Sequence, residues 1–258
     1  MKGVSMEKLQ ITNGVNTISG SLFRPSTEGK HPAIIISHGY NGSHKDFIPH
    51  CEYFCERGFL VCAYDFCGGS TRSESTGSTT DMTITSEIDD LMHVYEYLWN
   101  LEDVDHEQIF LLGESQGGLV TALTAEKLRN EIKAMVLYYP ALCIPDDWSN
   151  MYPRGAEVPE RIDFWGMTLG RGFVEDVRKY DVFSELGGFG KEVLILHGDK
   201  DPIVDFLYSR RAVDIYRNAT VIEMKGQGHG FEGQASVEAM KKACDFMEKQ
   251  WKGNKSNG

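Results

Sequence analysis

Five short apolar runs, HPAIIISHG, FLVCAYDF, QIFLLGES, KAMVLYYP and EVLILHGD, recur along the chain and constrain its fold more than any other feature. Each is too short for an ordinary helix, which predicts strands buried on both faces. Between the runs, Ile84, Ile88, Leu91, Tyr95 and Leu98 fall on one helical stripe, and Leu119, Leu123 and Leu128 begin another. Strand and helix in alternation require crossover connections, hence a mostly parallel sheet with helices on both faces. Ahead of these units, EKLQIT and NTISGSLFRP flank Asn13-Gly14, which predicts an antiparallel hairpin at the sheet edge. ATVIEMKG is a further strand, and the tail GNKSNG is expected to fray.

The 258 residues suffice for one large α/β domain. A formal net charge of −12, with no long Lys/Arg run, argues against nucleic acid or an anionic membrane surface as partner and leaves a small molecule. The first twenty residues lack the apolar core of a signal peptide and no 18-residue apolar run follows, so a cytoplasmic location is expected. The six cysteines are scattered, as expected of reduced thiols. Cys51 and Cys55 lie four apart on a predicted helix, but no second Cys or His pair matches them, and no metal is expected.

Within LGESQGG, Ser115 follows the strand QIFLLG and precedes the helix GGLVTALTAEKL. A serine in a sharp strand-to-helix turn presents its hydroxyl at the carboxyl edge of the sheet, while small neighbours let strand and helix approach. This is the setting of a nucleophile. A serine hydroxyl needs a general base oriented by a carboxylate. His229, in GQGHGF after the strand ATVIEMKG, is the candidate base, and Asp199 or Asp201, after EVLILHG, the candidate acid. All three positions lie just beyond strand carboxyl ends, in the order Ser, Asp, His. HGYNG follows the strand HPAIIIS, so the backbone N–H groups of Tyr40 and Gln116 form the expected oxyanion pair.

HGYNG, GESQGG, HGDKDPIV and GQGHGF, in that order and spacing, resemble an α/β-hydrolase over nearly the whole chain. With PALCIP and IDFWGMTLGRGFVEDV they further resemble the bacterial feruloyl or cinnamoyl esterases. The resemblance implies an eight-stranded, mostly parallel sheet, a serine esterase without cofactor, and Asp201 as the acid beside Ser115 and His229. One residue departs from it. Those esterases commonly carry His before the serine, where this chain has Glu114, whose carboxylate would oppose an oxyanion if it faced the pocket and is expected to point beneath the elbow.

Residues 141–190 exceed what a crossover needs and are expected to form a small inserted cap, with 1–140 and 191–258 as the core of a single domain. The insertion is aromatic, and Trp165 is its candidate substrate contact. The expected reaction is hydrolysis of a small ester, with hydroxycinnamates as the first candidates. Short-acyl esters, amides, and a non-catalytic ligand-binding hydrolase fold are the alternatives; a homodimer is compatible with the sequence.

Overall fold

The computed structural model describes residues 5–253; the remainder of the GNKSNG tail lies outside the described residues. The chain opens with the hairpin β1 (Ser5–Asn13) and β2 (Asn16–Arg24), followed by β3 (His31–Ser37), β4 (Leu60–Tyr64), β5 (Val104–Glu114) and β6 (Ala134–Tyr138). A small hairpin of β7 (Arg161–Phe164) and β8 (Met167–Gly170) stands apart, and β9 (Glu192–Gly198) and β10 (Ala219–Met224) return to the main sheet. That sheet has eight strands in the order β1-β2-β4-β3-β5-β6-β9-β10. The pairs β1·β2 and β2·β4 are antiparallel and the rest parallel, the arrangement of an α/β-hydrolase. The edge hairpin turns through Gly14 and Val15, one residue later than Asn13-Gly14, because Asn13 still pairs with Asn16.

Layering follows from burial. Ile34, Ile35 and Ile36 of β3 are all inaccessible to solvent, since successive side chains enter opposite layers and both are covered. One layer holds α1 (Ile48–Cys55) and α8 (Gly233–Lys252); the other holds α2 (Ile84–Trp99), α3 (Ser115–Lys127) and α7 (Phe206–Ile215). The start of α2 is fixed by a capping box in which Thr83 and Ser86 each accept the other's backbone N–H. Its stripe Ile84, Ile88, Leu91, Tyr95 and Leu98 is buried, so that Leu91→Ala should cost about 2–5 kcal/mol. All six cysteines are buried and unpaired. No helix among the described residues is long and apolar enough to cross a membrane.

Between β6 and β9 the chain makes α4 (Ile144–Met151), the β7–β8 hairpin, α5 (Arg171–Val177) and α6 (Val182–Glu185). Trp148 of α4 is buried against Phe164 and Phe173, at centroid distances of 4.9 and 5.2 Å. Thr85 of α2 anchors this excursion by donating its amide and hydroxyl to the Asp176 carboxylate at 2.8 and 2.7 Å. The excursion thereby sits over the carboxyl edge of the sheet.

Candidate active site

Ser115 occupies the sharp turn between β5 and α3 with φ of +50°, a left-handed conformation that a side-chain-bearing residue adopts only when its surroundings impose it. The imposition is steric. A Cβ on Gly117 would lie 2.3 Å from the His38 carbonyl oxygen, and one on Gly113 would lie 2.4 Å from the Gly117 carbonyl oxygen, so backbone approaches backbone at both glycines.

The Ser115 hydroxyl meets His229 Nε2 at 2.8 Å, and His229 Nδ1 meets Asp201 Oδ2 at 2.7 Å. Asp201 is the carboxylate that reaches the imidazole; Asp199 instead accepts the Gly226 amide and braces the neighbouring turn. The second Asp201 oxygen accepts the amides of Ile203 and Val204 at 2.8 and 2.9 Å. Burial alone would raise this carboxyl, but the hydrogen bonds from His197, His229 and the two amides outweigh it and hold the group well below the ordinary carboxylate range. It is an anion at any working pH and keeps the His229 imidazole in one orientation.

Two supports were not legible as such in the sequence. His197, inaccessible to solvent, places Nε2 3.1 Å from Asp201 Oδ2, with Ser209 Oγ 2.6 Å from its Nδ1. A histidine ending an otherwise apolar strand, four residues before the aspartate, was the available signal. Glu87, buried in the first turn of α2, accepts the Gln116 side-chain N–H at 2.8 and 2.9 Å from its two oxygens. Burial pushes this carboxyl up to about 8, with nearby Asp90 adding to the rise. The signal here was a carboxylate set among Ile84, Ile88 and Leu91.

Tyr40 and Gln116 line the same cavity as Ser115. The Gln116 amide belongs to the first turn of α3 and has no intrahelical acceptor. The loop carrying Tyr40 is shaped by buried His38, whose Nε2 accepts the Phe66 amide at 3.2 Å, leaving Nδ1–H to donate to the Gly39 carbonyl at 2.7 Å. Glu114 points beneath the elbow. Its carboxyl accepts the Tyr139 hydroxyl at 2.6 Å and lies 3.4 Å from the Gly39 amide.

Ser115, Tyr40 and Gln116 open on a cavity of about 320 Å³. Its walls are mainly apolar: Ile144, Trp148, Phe164, Trp165, Phe173, Ile203 and Val204. Trp165 stands at the tip of the β7–β8 hairpin with φ of +42°, followed by Gly166 at +79°, the paired left-handed geometry of a two-residue hairpin turn. It stacks on Phe164 at 4.8 Å yet remains 61% exposed, so it forms a wall at the cavity mouth. A larger depression of about 670 Å³ around Trp99, His106 and Lys191 contains none of the predicted site residues. Among the described residues, no group of three or more His, Cys, Asp or Glu side chains is arranged to hold a metal.

An accessible serine, an oriented imidazole and a buried carboxylate can together support acyl transfer. Comparison with known proteins gives the same general reading. The structure resembles that of Est1E from Butyrivibrio proteoclasticus with ferulic acid bound, at a TM-score of 0.86 and 25% identity, covering 94% of this chain and 98% of that one. The mouse serine hydrolase BPHL is 26% identical over 246 residues, covering 86% of this chain and 80% of that protein. An uncharacterized 31.7 kDa Escherichia coli protein is 30% identical over 95 residues, so the chain spans about a third of that relative (32%) and matches it over 36% of its own length. The model of the prolyl oligopeptidase family matches residues 46–254. With its sheet, elbow and this match, the chain belongs to the prolyl oligopeptidase family of α/β-hydrolases.

Proposed function

We propose that this hydrolase cleaves carboxylic esters of hydroxycinnamic acids through a covalent acyl-serine. The observation that carries the reading is the chain of contacts from Ser115 through His229 to Asp201, opening on an aromatic-walled cavity of about 320 Å³. His229 Nε2 takes the Ser115 proton as Oγ attacks the acyl carbon. The resulting oxyanion accepts the N–H groups of Tyr40 and Gln116. Its collapse transfers the imidazolium proton to the departing alcohol, and water, deprotonated by the same histidine, releases the acid.

A flat aryl-propenoyl group fits this site because Trp165, Phe164 and Trp148 provide aromatic surfaces and the cavity excludes water from its ring. The similarity to Est1E, whose structure carries ferulic acid, supports the same acyl class. The family match favours a second reading, hydrolysis of small aminoacyl or peptidyl amides by the same triad. A spectrophotometric panel of methyl ferulate, aryl acetates and aminoacyl anilides separates them. Methyl ferulate should give the highest kcat/KM; an acetate or an anilide ranking above it would remove the hydroxycinnamate reading.

A further inference from the structure

The side chain of Tyr40 makes contacts that a backbone oxyanion donor does not require. Its hydroxyl donates to the Phe164 carbonyl at 2.7 Å, across 124 positions of sequence. Its ring meets those of Phe164 and Trp165 edge-on, at centroid distances of 5.6 and 6.5 Å. Tyr40, Phe164 and Trp165 all line the cavity that Ser115 opens on. One residue therefore joins the turn whose amide is assigned to the oxyanion to the tip of the β7–β8 hairpin, an aromatic wall of the acyl cavity. Burial, with a smaller contribution from Glu87, raises the Tyr40 phenol above its ordinary value, so the hydroxyl remains a donor at any working pH.

The two ends of this contact are held unequally. On the turn side, the Gly42 amide donates to the Gly39 carbonyl at 3.0 Å and closes a turn around Tyr40 and Asn41. Asn41 takes a φ of +52° there, and its Oδ1 accepts the Thr71 amide, the Thr71 hydroxyl and the Ser70 hydroxyl at 2.9, 3.0 and 3.2 Å. On the hairpin side, the Thr79 hydroxyl ties β8 by donating to the Thr168 carbonyl at 2.6 Å, and Phe164 packs on Trp148. Beyond these ties stands Trp165, largely exposed. A hydrogen bond between a well-fixed turn and an exposed hairpin tip sets the position of the tip.

We infer that Tyr40 is a positioning residue for the acyl wall: through the Phe164 carbonyl its hydroxyl holds Phe164 and Trp165 over the cavity, and it thereby contributes to acyl selectivity. The inference rests on the ester-hydrolase reading above and gives a residue outside the excursion a share in the choice of acyl group. The effect is selective by geometry. A flat aryl-propenoyl group long enough to reach the hairpin gains from a fixed wall, whereas an acetyl group ends short of it.

Tyr40→Phe removes the hydroxyl and keeps both the ring and the backbone N–H. The test compares 4-nitrophenyl cinnamate with 4-nitrophenyl acetate, two esters of one leaving group. Tyr40→Phe should lower the cinnamate-to-acetate ratio of kcat/KM by roughly three- to tenfold, the range that loss of one neutral hydrogen bond supports. The ratio is insensitive to the fraction of a variant that folds. In a Trp165→Ala background the same substitution should move the ratio by less than about twofold, because the ring it positions is gone. An unchanged ratio in the first comparison overturns the inference, since a loss shared by both esters is not selective. An equal fall in both backgrounds also overturns it, since the hydroxyl would then act on the acyl group without the hairpin. Preference of the unmutated protein for the acetate, with the ratio still lowered by Tyr40→Phe, would count against the hydroxycinnamate reading and leave the role of Tyr40 standing.

Discussion

The carboxyl edge of the sheet and the excursion between β6 and β9 both border Ser115, but they are built on different principles. At the edge, backbone meets backbone: Gly113 and Gly117 leave no room for a Cβ, Ser115 is forced to positive φ, and Asp201 is held by four hydrogen bonds. In the excursion, side chain meets side chain: Phe164 and Phe173 each pack on Trp148, and Trp165 is left at the mouth with more than half its surface exposed. The first arrangement fixes atoms to within a hydrogen bond, as bond-making chemistry demands. The second fixes a shape, which can change with little effect on the triad. Reaction type should therefore reside in the edge, and acyl preference in the excursion.

The largest effects should come from the edge. Ser115→Ala removes the attacking atom and should lower ester turnover by about a millionfold, following serine-protease precedent. Asp201→Asn should cost about three to four orders of magnitude, because the amide favours the wrong imidazole tautomer. Asp199→Asn, which alters only the brace to Gly226, should remain within a fewfold of the unmutated rate. Steady-state kinetics on one aryl ester measures all three, and the reverse ranking of the two aspartates would show that the wrong acid is assigned.

The excursion should give a smaller and selective effect. Trp165→Ala should lower kcat/KM for methyl ferulate by roughly ten- to a hundredfold, equivalent to about 1.4–2.7 kcal/mol, and leave acetyl esters nearly unchanged. Equal losses on both would mean that Trp165 holds the excursion together, and the contrast between the two regions would fail.

The same contrast governs what the sequence revealed. Strands buried on both faces announce themselves as unbroken apolar runs, and glycines around one serine mark a close approach, so β3, β5, β9 and the order of Ser115, an aspartate at 199 or 201, and His229 were legible in the sequence, with Asp201 singled out only by the resemblance to known esterases. The β7–β8 hairpin was not. Arg161–Phe164 and Met167–Gly170 are four-residue strands, too short to establish a period, and Arg161 and Asp163 lie exposed on either side of buried Ile162. His197 was equally silent, because its role depends on Asp201 and Ser209 reaching it from two other segments. Side-chain supports of this kind depend on tertiary contacts, and no local pattern encodes them.

A further expected effect concerns stability rather than turnover, at the Glu87 carboxyl that holds the Gln116 side chain. Because the Glu87 carboxyl titrates higher folded than unfolded, the native state binds the extra proton between the unfolded value near 4.3 and about 8, and stability falls as pH rises through that window. The slope from this group is at most about 1.4 kcal/mol per pH unit. Glu87→Gln keeps an acceptor for Gln116 and removes the titration, so its Tm should vary less between pH 5 and 8. An unchanged pH dependence would show that Glu87 does not titrate as its burial implies.

Active-site labelling tests the central claim most directly. A fluorophosphonate probe added in stoichiometric amount, followed by peptide mass spectrometry and an ester assay on the same sample, should give one adduct, on Ser115, and loss of activity in proportion to labelling. An adduct elsewhere, or undiminished hydrolysis by fully labelled protein, would contradict the assignment of Ser115 as the nucleophile.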